Sequence, residues 1–232
     1  MNRLTWLLCC CFPIVLAAQQ KLEVGLLGGF ANYQGDLVEN PIALSETRPS
    51  FGGFLRYHVS DKLKVRGNVL YSYISGSDAN SHDEGLKARG WSFESNIFEA
   101  SLIGEYHPFG KSRFGKTGIF RHQVSPYIGV GFGLAAFDPK VSVTDPEDAA
   151  LFPEQNEEAF SGSIPILAGV RVDVFEFLSL GLEVGWRATV NDYLDGVSMN
   201  GNNDKNDWYL IGGITASFFF GNAEPDFNFS PR

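Results

Sequence analysis

The stretch of sequence that decides the fold is Leu-Ser-Leu-Gly-Leu-Glu-Val-Gly-Trp-Arg-Ala-Thr-Val, at residues 178–190. Its even-numbered positions are all apolar, whereas its odd-numbered positions are serine, glycine, threonine, Glu183 or Arg187. Because successive side chains of a β-strand point to opposite faces, this alternation predicts a strand with one apolar and one polar face. Residues 164–174 repeat the pattern, and only residues 175–177 separate the two segments. The two segments are therefore expected to form a tight hairpin.

The same alternation predicts six further strands, which makes eight in all. They lie at residues 22–33, 51–59, 63–75, 93–106, 124–137 and 208–220. Long connections alternate with shorter ones, which is typical of transmembrane β-barrels whose short turns face the periplasm. We therefore predict an all-β fold: an eight-stranded antiparallel transmembrane β-barrel over residues 19–220, with long extracellular loops and short periplasmic turns.

The alternative fold is a soluble β-sandwich or lipocalin-like barrel, in which the apolar faces would point inward. Two features favour the membrane barrel: most strands exceed the roughly 5 to 6 residues usual in soluble sheets, and the polar faces carry equal numbers of both charges. Ten charged residues are predicted to form an ion-pair network in the lumen: Glu23, Arg56, Lys64, Arg66, Glu99, Glu105, Arg171, Asp173, Glu183 and Arg187. Aromatic residues near strand ends are predicted to form interfacial girdles: Tyr33, Phe51, Tyr57, Tyr71, Tyr73, Tyr106, Phe137, Trp208, Phe218 and Phe220.

The first 18 residues have the features of a secretory signal peptide. A positive charge at Arg3 precedes an apolar run at residues 4–16, and two alanines follow. All three cysteines lie inside this segment, so the mature chain is expected to carry no cysteine chemistry. Export through a cleaved signal peptide and location in the outer membrane are therefore expected.

Two short blocks carry a resemblance to a known family. The run Glu-Val-Gly-Leu-Leu-Gly-Gly-Phe-Ala-Asn-Tyr-Gln-Gly-Asp-Leu at residues 23–37 resembles the opening of PorG-like outer-membrane barrels, which are associated with type IX secretion. Residues 87–106 resemble the segment of that family that leads into the fourth strand. The resemblance implies an outer-membrane component that anchors or assembles a secretion apparatus, beside periplasmic ring proteins that include a lipoprotein. Its signature positions here are Gly28, Tyr33, Gly35 and Asp36.

Basic residues are concentrated in one connection on the predicted periplasmic side. Residues 107–123 contain four lysines and arginines and no acid, whereas the third long loop carries seven acids against Lys140 alone. We hypothesise that this basic turn and the predicted periplasmic tail, residues 221–232, dock a periplasmic partner through complementary charge. The docking residues would be Lys111, Arg113, Lys116, Arg121, Phe227 and Phe229. The alternative is a solvated or lipid-contacting turn followed by a disordered tail.

Other function classes lack the residues that they require. A net charge of −9 argues against nucleic-acid binding, and an eight-stranded barrel encloses a lumen that its own side chains fill, which argues against a porin. His58 has no evident serine and acid beside it in the sequence, so no catalytic residue, metal site or cofactor is predicted. Two alternatives to a secretion anchor stay open: a small surface barrel with a structural or adhesive role, and a barrel that binds a small ligand or lipid.

Overall fold

The computed structural model describes residues 21–34, 46–80, 84–115, 118–144, 159–189 and 208–220. The predicted signal peptide and tail lie outside these ranges, as does most of three of the long loops. Eight strands are present: β1 (Leu22–Gln34), β2 (Arg48–His58), β3 (Leu63–Ser77), β4 (Ser92–Tyr106), β5 (Val124–Ser142), β6 (Ala159–Asp173), β7 (Leu178–Thr189) and β8 (Trp208–Phe219). One short helix, α1 (Glu84–Arg89), follows a 3₁₀ turn, Asp78–Asn80, in the connection between β3 and β4. None of the described helices has the length and apolarity needed to cross a bilayer.

The eight strands form one closed barrel in sequence order. Each strand is antiparallel to both of its neighbours, and β1 closes the barrel by pairing with β8 from Glu23–Phe219 to Gln34–Trp208. Closure leaves no free sheet edge, which is the condition for a β-structure that spans a membrane. The predicted fold class, an eight-stranded antiparallel barrel, is confirmed.

Three strands, β2, β5 and β6, extend by three or more residues beyond a predicted end, and the prolines show why this is possible. The predicted bounds of β2 and β5 exclude Pro49 and Pro139, and proline has no N–H to give to a ladder. In the structure, Pro49 pairs only with β1 and Pro139 only with β4, so each has a free side on which no hydrogen bond is required. At Pro165 the β5–β6 ladder is interrupted between the Val130–Ile166 and Gly133–Ser163 pairs. The third extended strand, β6, begins at Ala159 and pairs there with Phe137.

The outer wall of the barrel is apolar. Large side chains such as Leu26, Leu182 and Ile214 are more than 60% exposed on it, whereas arginines and glutamates are buried inside. A water-soluble protein would have the reverse arrangement, because exposed apolar patches of this extent favour association or contact with lipid. The wall therefore fits hydrocarbon, as expected for a transmembrane β-barrel.

Most buried charges of the lumen lie in its periplasmic half, whereas the extracellular half combines buried polar residues with a large apolar cluster that sequence reasoning did not expect. At the extracellular end the lumen is filled by a buried cluster that we call the apolar plug: Leu27, Ala31, Tyr33, Leu70, Ile74, Trp91, Phe93, Ile97, Ala135, Phe137, Val141, Tyr209 and Ile211. Tyr33 and Phe137, predicted as girdle residues, belong to this cluster, so that assignment is wrong. Their strand positions point inward, and Tyr33 packs edge-to-face on Phe93 at 4.7 Å between ring centroids. The other girdle residues with exposed rings on the wall are Phe51, Tyr57, Tyr71, Tyr106, Trp208, Phe218 and Phe220.

Candidate functional site

The structure places all ten predicted lumen charges inside the barrel, and none is more than 6% exposed. They lie at inward-facing positions of six strands, mostly near the ends of the strands that meet the periplasmic turns. We call this region the charged half of the lumen. Buried ions are tolerated only where they are paired and hydrogen-bonded, so the pairing decides what the region can do.

Arg56 links three strands at the periplasmic end. Its Nη1 donates to Oε1 of Glu23 at 2.5 Å, while its Nε and Nη2 donate to the two carboxylate oxygens of Glu105 at 2.7 and 3.1 Å. The guanidinium also lies 4.7 Å from the ring centroid of Phe54. Such fork-shaped contacts fix the direction of both carboxylates, and they tie β1, β2 and β4 together.

A second ion pair crosses the lumen. Arg66 on β3 donates to both carboxylate oxygens of Glu183 on β7, at 2.5 and 2.9 Å. The hydroxyl of Tyr127 donates to Glu183 at 2.7 Å, and Arg66 also contacts Glu105 at 3.3 Å. Because β3 and β7 are four strands apart in an eight-stranded ring, this pair spans the interior. It therefore occupies the middle of the lumen.

A third cluster lies where the charged half meets the apolar plug. Arg187 Nε is 3.9 Å from Oε2 of Glu99, and its Nη1 donates to the carbonyl of Gly185 at 2.8 Å. The hydroxyl of Tyr209, a residue of the plug, donates to the same Glu99 carboxylate. This cluster therefore lies against the apolar plug.

Arg113, predicted to contact a periplasmic partner, is instead directed into the barrel. Its Nη2 donates to Asp173 at 3.0 Å and to Ser179 at 2.6 Å, and its Nη1 donates to the carbonyl of Glu176 at 2.8 Å. Its guanidinium lies 4.7 Å from the ring centroid of Phe219, and the residue is only 7% exposed. This correction removes Arg113 from the docking surface, because the residue is buried and its two terminal nitrogens donate within the chain.

The remaining predicted site residues lie in several different parts of the chain. Lys111 and Arg121 are exposed on the periplasmic turn, while Lys116, Phe227 and Phe229 lie outside the described residues, as do Gly35 and Asp36 of the family signature. Gly28 is exposed on the wall, and an added Cβ there would meet no atom within 4 Å. Tyr33 lies in the apolar plug.

Sequence reasoning missed an apolar surface around the periplasmic mouth. Phe175 and Phe177 lie in the short turn between β6 and β7, where their stacked rings are 5.9 Å apart between centroids, and both side chains are exposed. Phe109 and Ile119 of the longer turn are exposed as well. The sequence could have revealed this surface, because turns are usually rich in glycine, proline and polar residues, whereas this turn reads Phe-Glu-Phe. Together with Lys111 and Arg121, these residues give this end a mixed apolar and basic surface.

A serine, a histidine and a glutamate meet at the periplasmic end, although sequence reasoning saw no such set. His107 lies 3.0 Å from Ser125 Oγ through Nδ1 and 3.2 Å from Glu105 through Nε2. The set does not resemble a working hydrolase: all three residues are buried, the ring of Tyr127 stacks on His107 at 4.9 Å, and Glu105 already binds two arginines. Burial lowers the pKa of His107 to about 4, which makes it a poor general base near neutral pH. The arrangement is structural.

The described residues also offer no metal centre, since no group of three or more His, Cys, Asp or Glu side chains among them could hold an ion. The chemistry that the site supports is therefore ion pairing within the barrel and contact with other molecules at its periplasmic rim.

Comparison with known sequences gives a family for the chain. Residues 2–228 match the family model described as "Domain of unknown function (DUF6089)". The chain belongs to this family. No curated protein sequence matches it.

Solved structures with a similar fold are bacterial surface barrels. Neisserial surface protein A is 15% identical, with 85% of this chain and 96% of that chain covered and a TM-score of 0.47. The outer membrane protein OprG from Pseudomonas aeruginosa is 12% identical, with 87% of this chain and 98% of that chain covered and a TM-score of 0.46. The N-terminal barrel domain of OprF from the same organism is 16% identical, with 86% of this chain and 97% of that chain covered and a TM-score of 0.42. The assignment of the DUF6089 chain to a membrane rests on its own apolar wall and buried charges.

Proposed function

We propose that this DUF6089 protein is a non-enzymatic outer-membrane anchor or assembly component of a type IX-like protein secretion apparatus. In this role it docks periplasmic ring proteins, including a lipoprotein, at the periplasmic end of the barrel. The proposal starts from the resemblance of residues 23–37 and 87–106 to PorG-like barrels. Three features of the barrel support it.

The first feature is the closed lumen. The Arg66–Glu183 pair spans the interior, and the apolar plug fills the extracellular end. A filled eight-stranded barrel offers no route for a solute and no space for a large ligand. A closed barrel suits an anchor better than a channel or a ligand carrier.

The second feature is the mixed surface at the periplasmic mouth, and this observation carries the proposal. Exposed Phe109, Ile119, Phe175 and Phe177 provide the apolar area that protein interfaces bury at their centre. Charge from Lys111 and Arg121 would orient an acidic partner and raise its encounter rate more than its affinity.

The third feature is the inserted Arg113, which makes this surface rigid. Its hydrogen bonds join the turn between β4 and β5 to Asp173, at the end of β6, and to Glu176, in the turn between β6 and β7. Two separate turns are thereby held in one arrangement. A fixed surface lowers the entropic cost of binding.

Crosslinking and pull-down from isolated outer membranes test the proposal. The wild-type barrel should retain the ring lipoprotein, and the double variant Lys111→Glu/Arg121→Glu should lose at least about tenfold of it, since like charges across an interface cost several kcal/mol. Lys140→Glu is the matched control, because Lys140 is exposed at the opposite end of the barrel. Undiminished recovery of the lipoprotein with the double variant would refute docking at this surface.

A small surface barrel with an adhesive role is the second candidate. It is favoured by the acidic third loop, which has seven acids against Lys140. Binding of cells or divalent cations by the intact barrel, without any periplasmic protein in the crosslinked fraction, would select this role instead.

A further inference from the structure

The outer wall of the barrel contains a groove of about 770 Å³, which we call the wall groove, and its lining is almost entirely apolar. Outward-facing positions of six neighbouring strands form a continuous row along it, because each member of the row pairs with the next across the sheet. In order, the row consists of Tyr106 on β4, Ile128 on β5, Ala168 on β6, Val184 on β7, Gly212 on β8 and Phe30 on β1.

Small residues in this row create the groove. Ala168 and Gly212 carry only a methyl group and a hydrogen, whereas the row beside them includes the exposed side chains of Leu182 and Ile214, which pair with each other. The ring of Phe30 lies over Gly212, where an added Cβ would be 2.6 Å from its Cζ. The wall is therefore lowest around Ala168, and the ring of Phe30 borders the groove at its far end.

The row rises from the periplasmic rim into the membrane. Tyr106 is the last residue of β4, at the periplasmic end, whereas Ile128 is the fifth residue of β5 and Phe30 the ninth residue of β1 from that same end. From β5 to β1, each strand moves the row one residue further from the periplasm, as the stagger of barrel strands requires. A chain along the row would have one end at the membrane surface and the other end in the hydrocarbon.

Basic side chains lie beside the periplasmic end of the groove. Pro108 lines the groove, and the next residue, Phe109, accepts a hydrogen bond at its carbonyl from Gln123 Nε2 at 3.0 Å. Lys111 and Arg121, both exposed, each lie two residues from one member of this bonded pair, so their Cα atoms are within about 7 Å of it. The connection at residues 107–123 contains no acid, so the charge at this end of the groove is positive.

We propose that the wall groove binds an anionic phospholipid of the periplasmic leaflet. One acyl chain follows the row from Tyr106 to Phe30, and the phosphate lies beside Lys111 and Arg121. Basic residues next to an apolar membrane segment recognise anionic headgroups, and the groove volume is within the roughly 300 to 1,000 Å³ usual for sites that hold one small molecule. A second copy of the chain would not account for positive charge at only one end of the groove. This site goes beyond the proposed function, because it requires no other protein.

Native mass spectrometry of the purified barrel tests the apolar part of the site. In detergent with equal amounts of phosphatidylglycerol and phosphatidylcholine of the same chain length, the wild type should retain phosphatidylglycerol in preference. Ala168→Phe fills the groove and should lose this lipid, whereas Ala100→Phe, at an exposed wall position outside the groove, should keep it. Equal retention by the wild type and Ala168→Phe would refute the site. Should Ala168→Phe fail to fold, Ala168→Leu provides the same comparison.

The headgroup end is tested by Lys111→Gln/Arg121→Gln in the same mixture. The double variant should still bind a lipid, but its ratio of bound phosphatidylglycerol to phosphatidylcholine should fall to about one, since the charge attraction is removed. Lys140→Gln, at the opposite end of the barrel, should keep the wild-type ratio. An unchanged ratio in the double variant would contradict the position of the phosphate. Because no ring protein is present, these results are independent of the docking proposed above.

Photoreactive phosphatidylglycerol in phosphatidylcholine vesicles tests the direction of the bound chain. A photoreactive group near the acyl carbonyl should label β5 close to Ile128, and a group at the end of the chain should label β1 close to Phe30. Peptide mass spectrometry after irradiation identifies the labelled strands. Labelling in the reverse order, or labelling spread evenly over all eight strands, would overturn the proposal.

Discussion

The two halves of the lumen close the same barrel by different physical means. The extracellular half is an apolar plug in which Tyr33, Phe93 and Phe137 pack together. The periplasmic half is a set of buried ions in which Arg56 and Arg66 each bind two acids. Both halves exclude solvent, yet their energies depend on different features.

In the plug, each side chain contributes mainly through the apolar area that it buries and the cavity that its removal would leave. In the charged half, desolvation opposes every ion, and stability depends on the completeness of the pairing. The plug should therefore tolerate the loss of a group in proportion to its size. The charged half should tolerate the loss of a whole pair better than the loss of one partner.

The largest effect is expected when one ion of the pair that spans the lumen is removed. Arg66→Met leaves Glu183 as a buried carboxylate without its main partner, so unfolding should become easier by about 3 to 5 kcal/mol. Urea unfolding in detergent, followed by the shift between the folded and unfolded bands on electrophoresis, measures the loss.

The double variant Arg66→Met/Glu183→Leu is the decisive control for that comparison. It removes both charges and should recover most of the lost stability, because apolar side chains of similar volume can replace a buried pair. If the double variant lost as much stability as Arg66→Met, or more, the charged half would behave like the plug.

In the plug, Phe93→Ala should cost about 3 to 4 kcal/mol, from lost transfer free energy and a residual cavity. The milder Ile97→Val should cost about 1 kcal/mol by the same reasoning. The same electrophoretic assay applies. No second truncation should rescue Phe93→Ala, and a rescue comparable to that of the ion pair would contradict the distinction between the halves.

Acid should weaken the charged half through His107, which lies just after β4. Burial lowers its pKa from 6.5 to about 4, so between these values the unfolded chain binds a proton that the folded barrel does not. Its contribution is present above pH 6.5 and is lost as the pH falls towards 4, up to about 3 kcal/mol. Unfolding midpoints measured from pH 7.5 to 4 should show this slope.

The variant His107→Gln should flatten that slope, whereas His122→Gln, at an exposed position of the same turn, should leave it unchanged. A slope that is identical in the wild type and His107→Gln would show that other groups cause the acid sensitivity.

The last prediction concerns a close approach in the charged half. A Cβ at Gly169 would lie 2.6 Å from the hydroxyl and Cζ of Tyr127 and 2.8 Å from the carbonyl oxygen of Leu182. Gly169→Ala should therefore displace the ring that donates to Glu183 and cost about 1 to 3 kcal/mol. Gly28→Ala, on the open wall, is the matched control and should be close to neutral. Equal stabilities of the two variants would show that Tyr127 moves aside freely.

Much of the barrel could be predicted from local pattern, as particular residues show. The alternation at residues 178–190 indicated which side chains face inward, and it placed Glu183 and Arg187 in the lumen. The girdle assignment of Tyr33 and Phe137 was wrong because it used their position near strand ends, whereas the alternation puts both residues on the inward face of their strands. The alternation gave no information on Arg113, whose turn carries none and whose partners, Asp173 and Ser179, are about 60 residues further along the chain.

The sequence by itself determined the strand number, the antiparallel order and the inward position of ten charges, because the two-residue period is a local property of the chain. Only the tertiary structure decided which ions meet, that an apolar cluster lies in the extracellular half and that Arg113 turns inward. Those outcomes depend on distances between strands far apart in sequence, and closing the barrel is what brings such strands together.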